Sequence, residues 1–262
     1  MTVQPTSERG SRTMKCPAAR ILVGLAVAAM LTLSRPSAAV AAADRLPDLG
    51  MAQLSDLSID TTTIPGRRLL RFTTVIVNIG VGPFETIGSR PNTSTPEMAV
   101  TQRIFNDAGF FREVNTPAVM FWAGDGHDHW HVRDAEAYAL IRLDNGRRVG
   151  TGAKEGFCYF DNTPYRLWLA GAPSSSVYGG CGTAGDLTVT TGLSVGWGDT
   201  YPAWRTLQWI DITGLTSGRY RLRATADPAN WFAETNNANN STWVKLKLTS
   251  SGVSVLAYGP AA

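Results

Sequence analysis

An all-β fold, an antiparallel β-sandwich with long irregular loops, is what this chain of 262 residues predicts, on three observations. Apolar and polar residues alternate near the C-terminus. Tyr220, Leu222, Ala224 and Ala226 stand against Arg219, Arg221, Arg223 and Thr225, and Val244, Leu246 and Leu248 against Lys245, Lys247 and Thr249. Residues two apart share a strand face, so both runs describe half-buried antiparallel strands with one wet side. No amphipathic helical window of useful length follows residue 43. Finally, 26 glycines and 14 prolines cut the chain into strand-sized pieces, which suits a sandwich.

Residues 1–43 stand apart from that pattern. Lys15 and Arg20 precede the apolar stretch Ile21–Leu33, and a small-residue tract, Ser37–Ala43, follows. This is the order of a secretory signal, with Met14 as a possible true start. The apolar run is short for a bilayer span and ends near Arg35-Pro36, so no stable membrane anchor is expected. Cys16 lies ahead of that run, on the wrong side for lipid attachment. The segment carries five of the 24 basic and one of the 21 acidic residues, which turns a net +3 into −1 for residues 44–262. Nothing in that balance argues for nucleic acid. The remaining length fits one domain with a real core.

The elements follow in order. Arg71–Ile79 is rich in β-branched residues and ends at the turn cluster Gly80-Val-Gly-Pro83, as a strand does. Ala137–Leu143 and Arg147–Gly150 flank Asp144-Asn-Gly146 as the arms of a hairpin flank its turn. Gly171–Gly192, rich in Ser, Gly and Thr, predicts a long loop carrying Cys181, and Trp204–Ile212 predicts another strand. Asp227–Asn230 and Glu234–Asn240 form a polar connection between the last two strands. Cys158 and Cys181, the cysteines left after export, most simply form a disulfide; free thiols or a soft metal pair are the other readings. Asn92-Thr-Ser and Asn240-Ser-Thr match the glycosylation sequon.

The chain's three histidines, His127, His129 and His131, sit within five residues. On an extended segment they share one face, with the outer pair roughly 13 Å apart at the backbone. A bend or bulge would bring three imidazoles onto one ion. Imidazole suits zinc, copper, iron and nickel rather than calcium or magnesium. A lone histidine is more often a satisfied core or surface residue, but three of three at this spacing favours a metal. Asp128 and Trp130 would face the other way, the first solvated and the second packed.

Three stretches in order then converge: His127-Asp-His-Trp-His131 with Asp134, Arg147 to Lys154 and on to Cys158, and Gly196–Tyr201 leading to Gln208–Thr213 and Gly218-Arg-Tyr220. Together they resemble the catalytic domain of lysyl oxidases, copper amine oxidases that use a lysine tyrosylquinone. The likeness runs from about Phe121 to Leu248, and Leu46-Pro-Asp-Leu49 fits the opening strand region. The resemblance implies His127, His129 and His131 as ligands of a copper ion. It implies Lys154 and Tyr201 as the pair that forms the quinone, and Asp134 as the candidate base, with Asp199 as its alternative. It implies a secreted enzyme that takes a primary amine or peptidyl lysine and molecular oxygen, and releases aldehyde, ammonia and hydrogen peroxide. Animal members carry several disulfides and a cysteine before the first ligand, where this chain has Gly126, so it looks like a stripped, microbial member. The rivals are a secreted metal-binding sandwich without turnover and a zinc hydrolase. The second lacks a well-placed glutamate, Glu136 being the nearest.

Overall fold

A computed structural model describes residues 42–124, 126–152 and 155–262. The proposed export signal therefore lies outside the described residues, apart from its last two positions. Among the described residues there is no α-helix, and one 3-10 turn, Asn237–Asn239, interrupts an otherwise all-β chain. No helix of the described residues is long and apolar enough to cross a membrane.

The strands form three antiparallel sheets. The first runs Gly156–Phe157, His129–Arg133, Phe111–Ala123, Glu97–Asn106, Phe84–Ser89, Thr188–Leu193, with Asp44–Arg45 added to Glu97–Asn106. The second runs Arg148–Val149, Glu136–Arg142, Gly218–Ala226, Ser241–Leu248, Val253–Tyr258. The third is built on Leu69–Asn78. One edge of that strand pairs with Trp209–Asp211 and Trp197–Tyr201, the other with Leu49–Met51 and Ser55–Asp60.

Burial follows the sequence pattern. Tyr220, Leu222, Ala224 and Ala226 are buried and meet Val244, Leu246 and Leu248 from the paired strand. Leu69–Asn78 is buried along nearly its whole length, so it carries an apolar, β-branched run instead of an alternation. Phe72, Phe84, Trp130, Tyr159 and Tyr220 join the three sheets into one core. Each such side chain removed from water contributes about 1.5–3 kcal/mol.

Two expectations need correction. The stretch Gly171–Gly192 is not loop throughout: Thr188–Leu193 pairs with Phe84–Ser89 as an edge strand. Its β-branched Thr-Val-Thr-Thr run was hidden by the Ser- and Gly-rich residues before it. Conversely, only Trp209–Asp211 of Trp204–Ile212 is strand. Pro202 opens a turn, Leu207 has φ +62°, and Arg71 Nη1 donates to the carbonyls of Ala203 and Arg205 at 3.1 and 3.0 Å. A buried guanidinium anchored to Asp60 at 2.7 Å thus holds residues 202–208 out of the ladder. The hairpin at Asp144-Asn-Gly146 is present, with Gly146 at φ +69° and Arg148–Val149 paired to Leu140–Ile141.

Cys158 and Cys181 are joined by a disulfide that spans 23 residues. The Cys181 carbonyl accepts from Trp130 N at 3.0 Å, and Thr183 accepts from the Trp130 indole at 2.8 Å. The bridge therefore clamps the loop against the histidine strand. In the chain-entropy model a loop of this size is worth about 3 kcal/mol. The Cys158→Ala/Cys181→Ala pair is expected to lose about that much in urea unfolding, with Trp130 fluorescence shifting to the red before the global transition. Coincident transitions with unchanged midpoint would show that the bridge clamps nothing.

The polar connection is ordered by its own carboxylates. Asp227 accepts from the amides of Trp231 and Phe232, both at 3.0 Å. Glu234 accepts from Leu49 N at 2.8 Å and Asn240 Nδ2 at 2.6 Å. That bond buries Asn240, and with it the second glycosylation sequon, while Asn92 stays exposed. Burial pushes the Glu234 carboxyl up to about 7, against the pull of those two donors. Between about 4.5 and about 7 the folded state therefore holds more protons than the unfolded one, and stability falls as pH rises through that window. The expected loss is on the order of 1–2 kcal/mol after solvent screening. Glu234→Gln should flatten this part of the stability curve, because its amide can still accept from Leu49 N and can donate to Asn240 Oδ1, a buried atom with no hydrogen-bond partner among the described residues.

Candidate copper and quinone site

The histidines do not lie on one straight strand. His129–Arg133 is a strand paired to Met120–Ala123 on one edge and Gly156–Phe157 on the other. His127 precedes it in a turn made by Gly126 at φ +92° and Asp128 at φ +47°. Gly126 takes that left-handed backbone without a Cβ penalty. The turn folds His127 back over the strand, so the rings of His127 and His131 are 5.1 Å apart between centroids. His127 and His129 stack at 5.7 Å, and His129 and His131 lie at 4.8 Å. Asp128 is exposed and Trp130 buried under Arg90, 4.6 Å from its ring.

Among the described residues, no group of three or more His, Cys, Asp and Glu side chains is already placed to hold a metal ion. The nearest approach is His129 Nε2 to His131 Nε2, at 2.9 Å. One neutral ring can donate to the other at that distance. It is also roughly the separation of neighbouring donors about 2.0 Å from one ion at a right angle, as in tetragonal copper(II). With His127 beside them, the donor set fits an imidazole-bound transition metal.

Tyr201 completes the cluster. It ends the strand Trp197–Tyr201 and pairs in register with Thr74 of the central strand. Its side chain is 5% exposed. Its phenol oxygen lies 3.3 Å from His131 Nε2 and accepts from Cys158 N at 3.3 Å. The ring packs on Phe157 at 4.2 Å between centroids. Burial pushes the phenol well above its ordinary pKa, and the charge of Asp199 adds to that. Gly156 leaves room for this packing: a Cβ there would meet Phe121 Cε1 at 2.7 Å and His131 Cβ at 2.9 Å.

Lys154 lies outside the described residues. The chain on either side of it is anchored, Thr151–Gly152 to Ile210–Asp211 and Gly156–Phe157 to Val132–Arg133. Asp134 stands on an exposed turn at φ +52°. It borders a cavity of about 390 Å³ shared with Glu136, Tyr138, Arg148, Gly150 and Gly152, none of them a histidine. Its amide donates to the carbonyl of Glu155 at 3.1 Å, and Glu155 borders a small cavity beside His131.

Two buried carboxylates bear on the phenol through their charge. Asp199 is wholly buried and on the same strand face as Tyr201, with its Oδ1 held by the Asn162 amide. Asn162 Oδ1 in turn accepts from Thr200 N at 2.8 Å. Glu136 accepts from Tyr138 Oη at 2.5 Å, and Tyr138 bonds Thr74 and Gln208. The charges of Asp199 and Glu136 both raise the Tyr201 phenol. Sequence reading undervalued Glu136, yet the alternation Glu136, Tyr138, Leu140 already put it on the inward face.

Small cavities open on either side of His127. One, of about 30 Å³, is bordered by Phe121, His127, His131 and Glu155. The other, of about 40 Å³, is bordered by His127, His129, Asn162, Thr200, Tyr201 and Arg205. The second one reaches the tyrosine.

A family model for lysyl oxidase matches residues 98–257. Protein-lysine 6-oxidase of Rattus norvegicus is 31% identical over 138 residues, covering 50% of this chain and 31% of the relative. The Sus scrofa protein of the same name is 31% identical over 138 residues, 50% of this chain and 51% of the relative. Lysyl oxidase homolog 4 of Homo sapiens is 30% identical over 183 residues, 69% of this chain and 19% of the relative. The chain thus spans from about a fifth to about half the length of these relatives.

Proposed function

The chain belongs to the lysyl oxidase family, and from that premise we propose that it is a secreted copper amine oxidase. It would oxidise primary amines, free or as protein lysine side chains, to aldehydes, consuming oxygen and releasing ammonia and hydrogen peroxide. The observation that carries this reading is the approach of a buried phenol, Tyr201, to within 3.3 Å of His131 in a cluster of three imidazoles.

His127, His129 and His131 would hold the copper. When bound, copper supplies redox exchange with oxygen, and the quinone made from Tyr201 and Lys154 supplies an electrophilic carbonyl for the amine. The rest falls to ordinary side chains. Phe157 and the Cys158 amide fix the plane and the oxygen of Tyr201. Lys154 must lose its proton to act as a nucleophile. Asp199, held by Asn162, is the proposed acceptor of the proton removed from the substrate's α-carbon. Asp134, implied by the resemblance for that role, is its competitor. The buried site excludes bulk water from these transfers.

The test is peroxide release from aerobically copper-loaded protein, with benzylamine, 1,5-diaminopentane and a lysine-containing peptide as substrates. Amine-dependent peroxide that disappears on copper removal supports the reading. Stoichiometric metal binding without peroxide would leave a secreted metal-binding sandwich.

A further inference from the structure

The cavity that reaches Tyr201 is walled by a fixed positive charge. Arg205 is half-buried and borders that cavity together with Tyr201, His127 and His129. Its turn is rigid: Arg205 N donates to the Pro202 carbonyl at 3.0 Å, and Arg71 Nη1 donates to the Arg205 carbonyl at 3.0 Å. Arg71 and Arg103 have carboxylate partners, Asp60 at 2.7 Å and Glu85 at 3.1 Å, while Arg68 and Arg166 donate to main-chain carbonyls. Arg205 has no carboxylate partner among the described residues; its recorded side-chain contact is the Trp204 ring, 4.9 Å away. Trp204 itself is 71% exposed. A guanidinium lying on an indole keeps its edge N–H groups available, and that planar fork matches a carboxylate.

We propose that Arg205 is a specificity-determining residue that selects primary amines carrying a carboxylate, such as a lysine beside an acidic residue. This rests on the amine-oxidase reading of the same site. Substrate amines are cations at neutral pH, so a diamine entering beside Arg205 meets repulsion at both ends. A carboxylate on the same molecule offsets that repulsion and anchors the chain while the amine reaches the ring of Tyr201. The shared chemistry is an ammonium and a carboxylate on one molecule, in a peptide or as a free ω-amino acid.

Two measurements test it. In the first, copper-loaded enzyme is assayed with acetylated peptides that present lysine beside aspartate or beside asparagine, and with 5-aminopentanoate against 1,5-diaminopentane. The expected result is a kcat/KM preference of about tenfold for the acidic partner, carried in KM. It should fall to about one in Arg205→Gln and persist in Arg219→Gln, an exposed arginine on a distant strand. Preference among the free amines alone would assign the site to small amino acids, and preference among the peptides alone to protein lysine. In the second, the metal-free protein is titrated with glutarate and with glutaramide while Trp fluorescence is read. Glutarate should bind and the diamide should not, with binding lost in Arg205→Gln. Equal rates on acidic and neutral substrates in the wild type overturn this inference and leave the oxidase intact. Glutarate binding that ignores Arg205→Gln also overturns it. A protein that binds glutarate through Arg205 yet oxidises no amine keeps the anion site and refutes the oxidase.

Discussion

Tyr201→Phe is expected to abolish quinone formation and to drop amine oxidation to background, roughly 10³-fold or more below the wild type. The reason lies in what the substitution removes. Phenylalanine fills the same space against Phe157 and within the core, so the fold should survive. It lacks the oxygen that sits 3.3 Å from His131 Nε2 and accepts from Cys158 N. A ring without that oxygen cannot be oxidised to a quinone. Losing both long contacts, with the buried Cys158 amide left without this acceptor, should cost about 1–3 kcal/mol of stability. Lys154→Ala should give the same blank, through loss of the amine. The measurement is a redox-cycling stain on protein made without residues 1–43 and loaded aerobically with copper, beside a metal assay of each variant. Wild type that stains, and two variants that bind copper without staining, identify the pair as the source of the cofactor. A blank wild type with full copper would reduce the site to metal binding. Stain retained in Tyr201→Phe would move the quinone to another tyrosine.

Much of the fold was legible because strand periodicity is a local property. The alternation at Tyr220–Ala226 and Val244–Leu248 was visible residue by residue, and burial follows it. The turn at Asp144-Asn-Gly146 was legible for the same reason. What failed was set by distant partners. Nothing within Trp204–Ile212 reveals that Arg71, more than a hundred residues upstream, captures the carbonyls of Ala203 and Arg205 and bends residues 202–208 into a turn. The edge strand Thr188–Leu193 likewise exists because Phe84–Ser89 offers it a ladder. The site divides in the same way. Three histidines at alternate positions announce a shared face, but the fold-back of His127 depends on two left-handed residues, Gly126 and Asp128. Tyr201 was found through family resemblance alone, since its sequence neighbourhood reads as ordinary packing. Asp134 follows His131 by three residues, and its exposed turn borders a cavity with Glu136 and Arg148, whereas Asp199, two residues before Tyr201, is buried.

That contrast in burial leads to the second large effect. Asp199→Asn should cut kcat by about 10²–10⁴-fold, while Asp134→Asn should cost no more than a few-fold. Asp199 is fully buried, alternates onto the face of Tyr201, and is gripped by Asn162, which is itself tied to Thr200 N. A carboxylate held this way stays in the core, and its charge acts on the phenol. An exposed aspartate on a turn cannot act with comparable effect, because water screens its charge. The amide that replaces the carboxylate in Asp199→Asn is close to isosteric with it and retains one oxygen for the Asn162 amide, so the fold should hold while the proton acceptor is lost. If Asp199 takes the substrate's α-proton, α-deuterated benzylamine should show a larger kinetic isotope effect in Asp199→Asn, because proton removal then limits turnover. If Asp199 serves only to mature the cofactor, the variant should stain weakly, yet each stained molecule should turn over at the wild-type rate with an unchanged isotope effect. Normalising the rate to quinone content therefore separates a base from a positioning residue. A loss in Asp134→Asn that exceeds the loss in Asp199→Asn would return the role to Asp134 and require its turn to move toward the histidines in the mature enzyme.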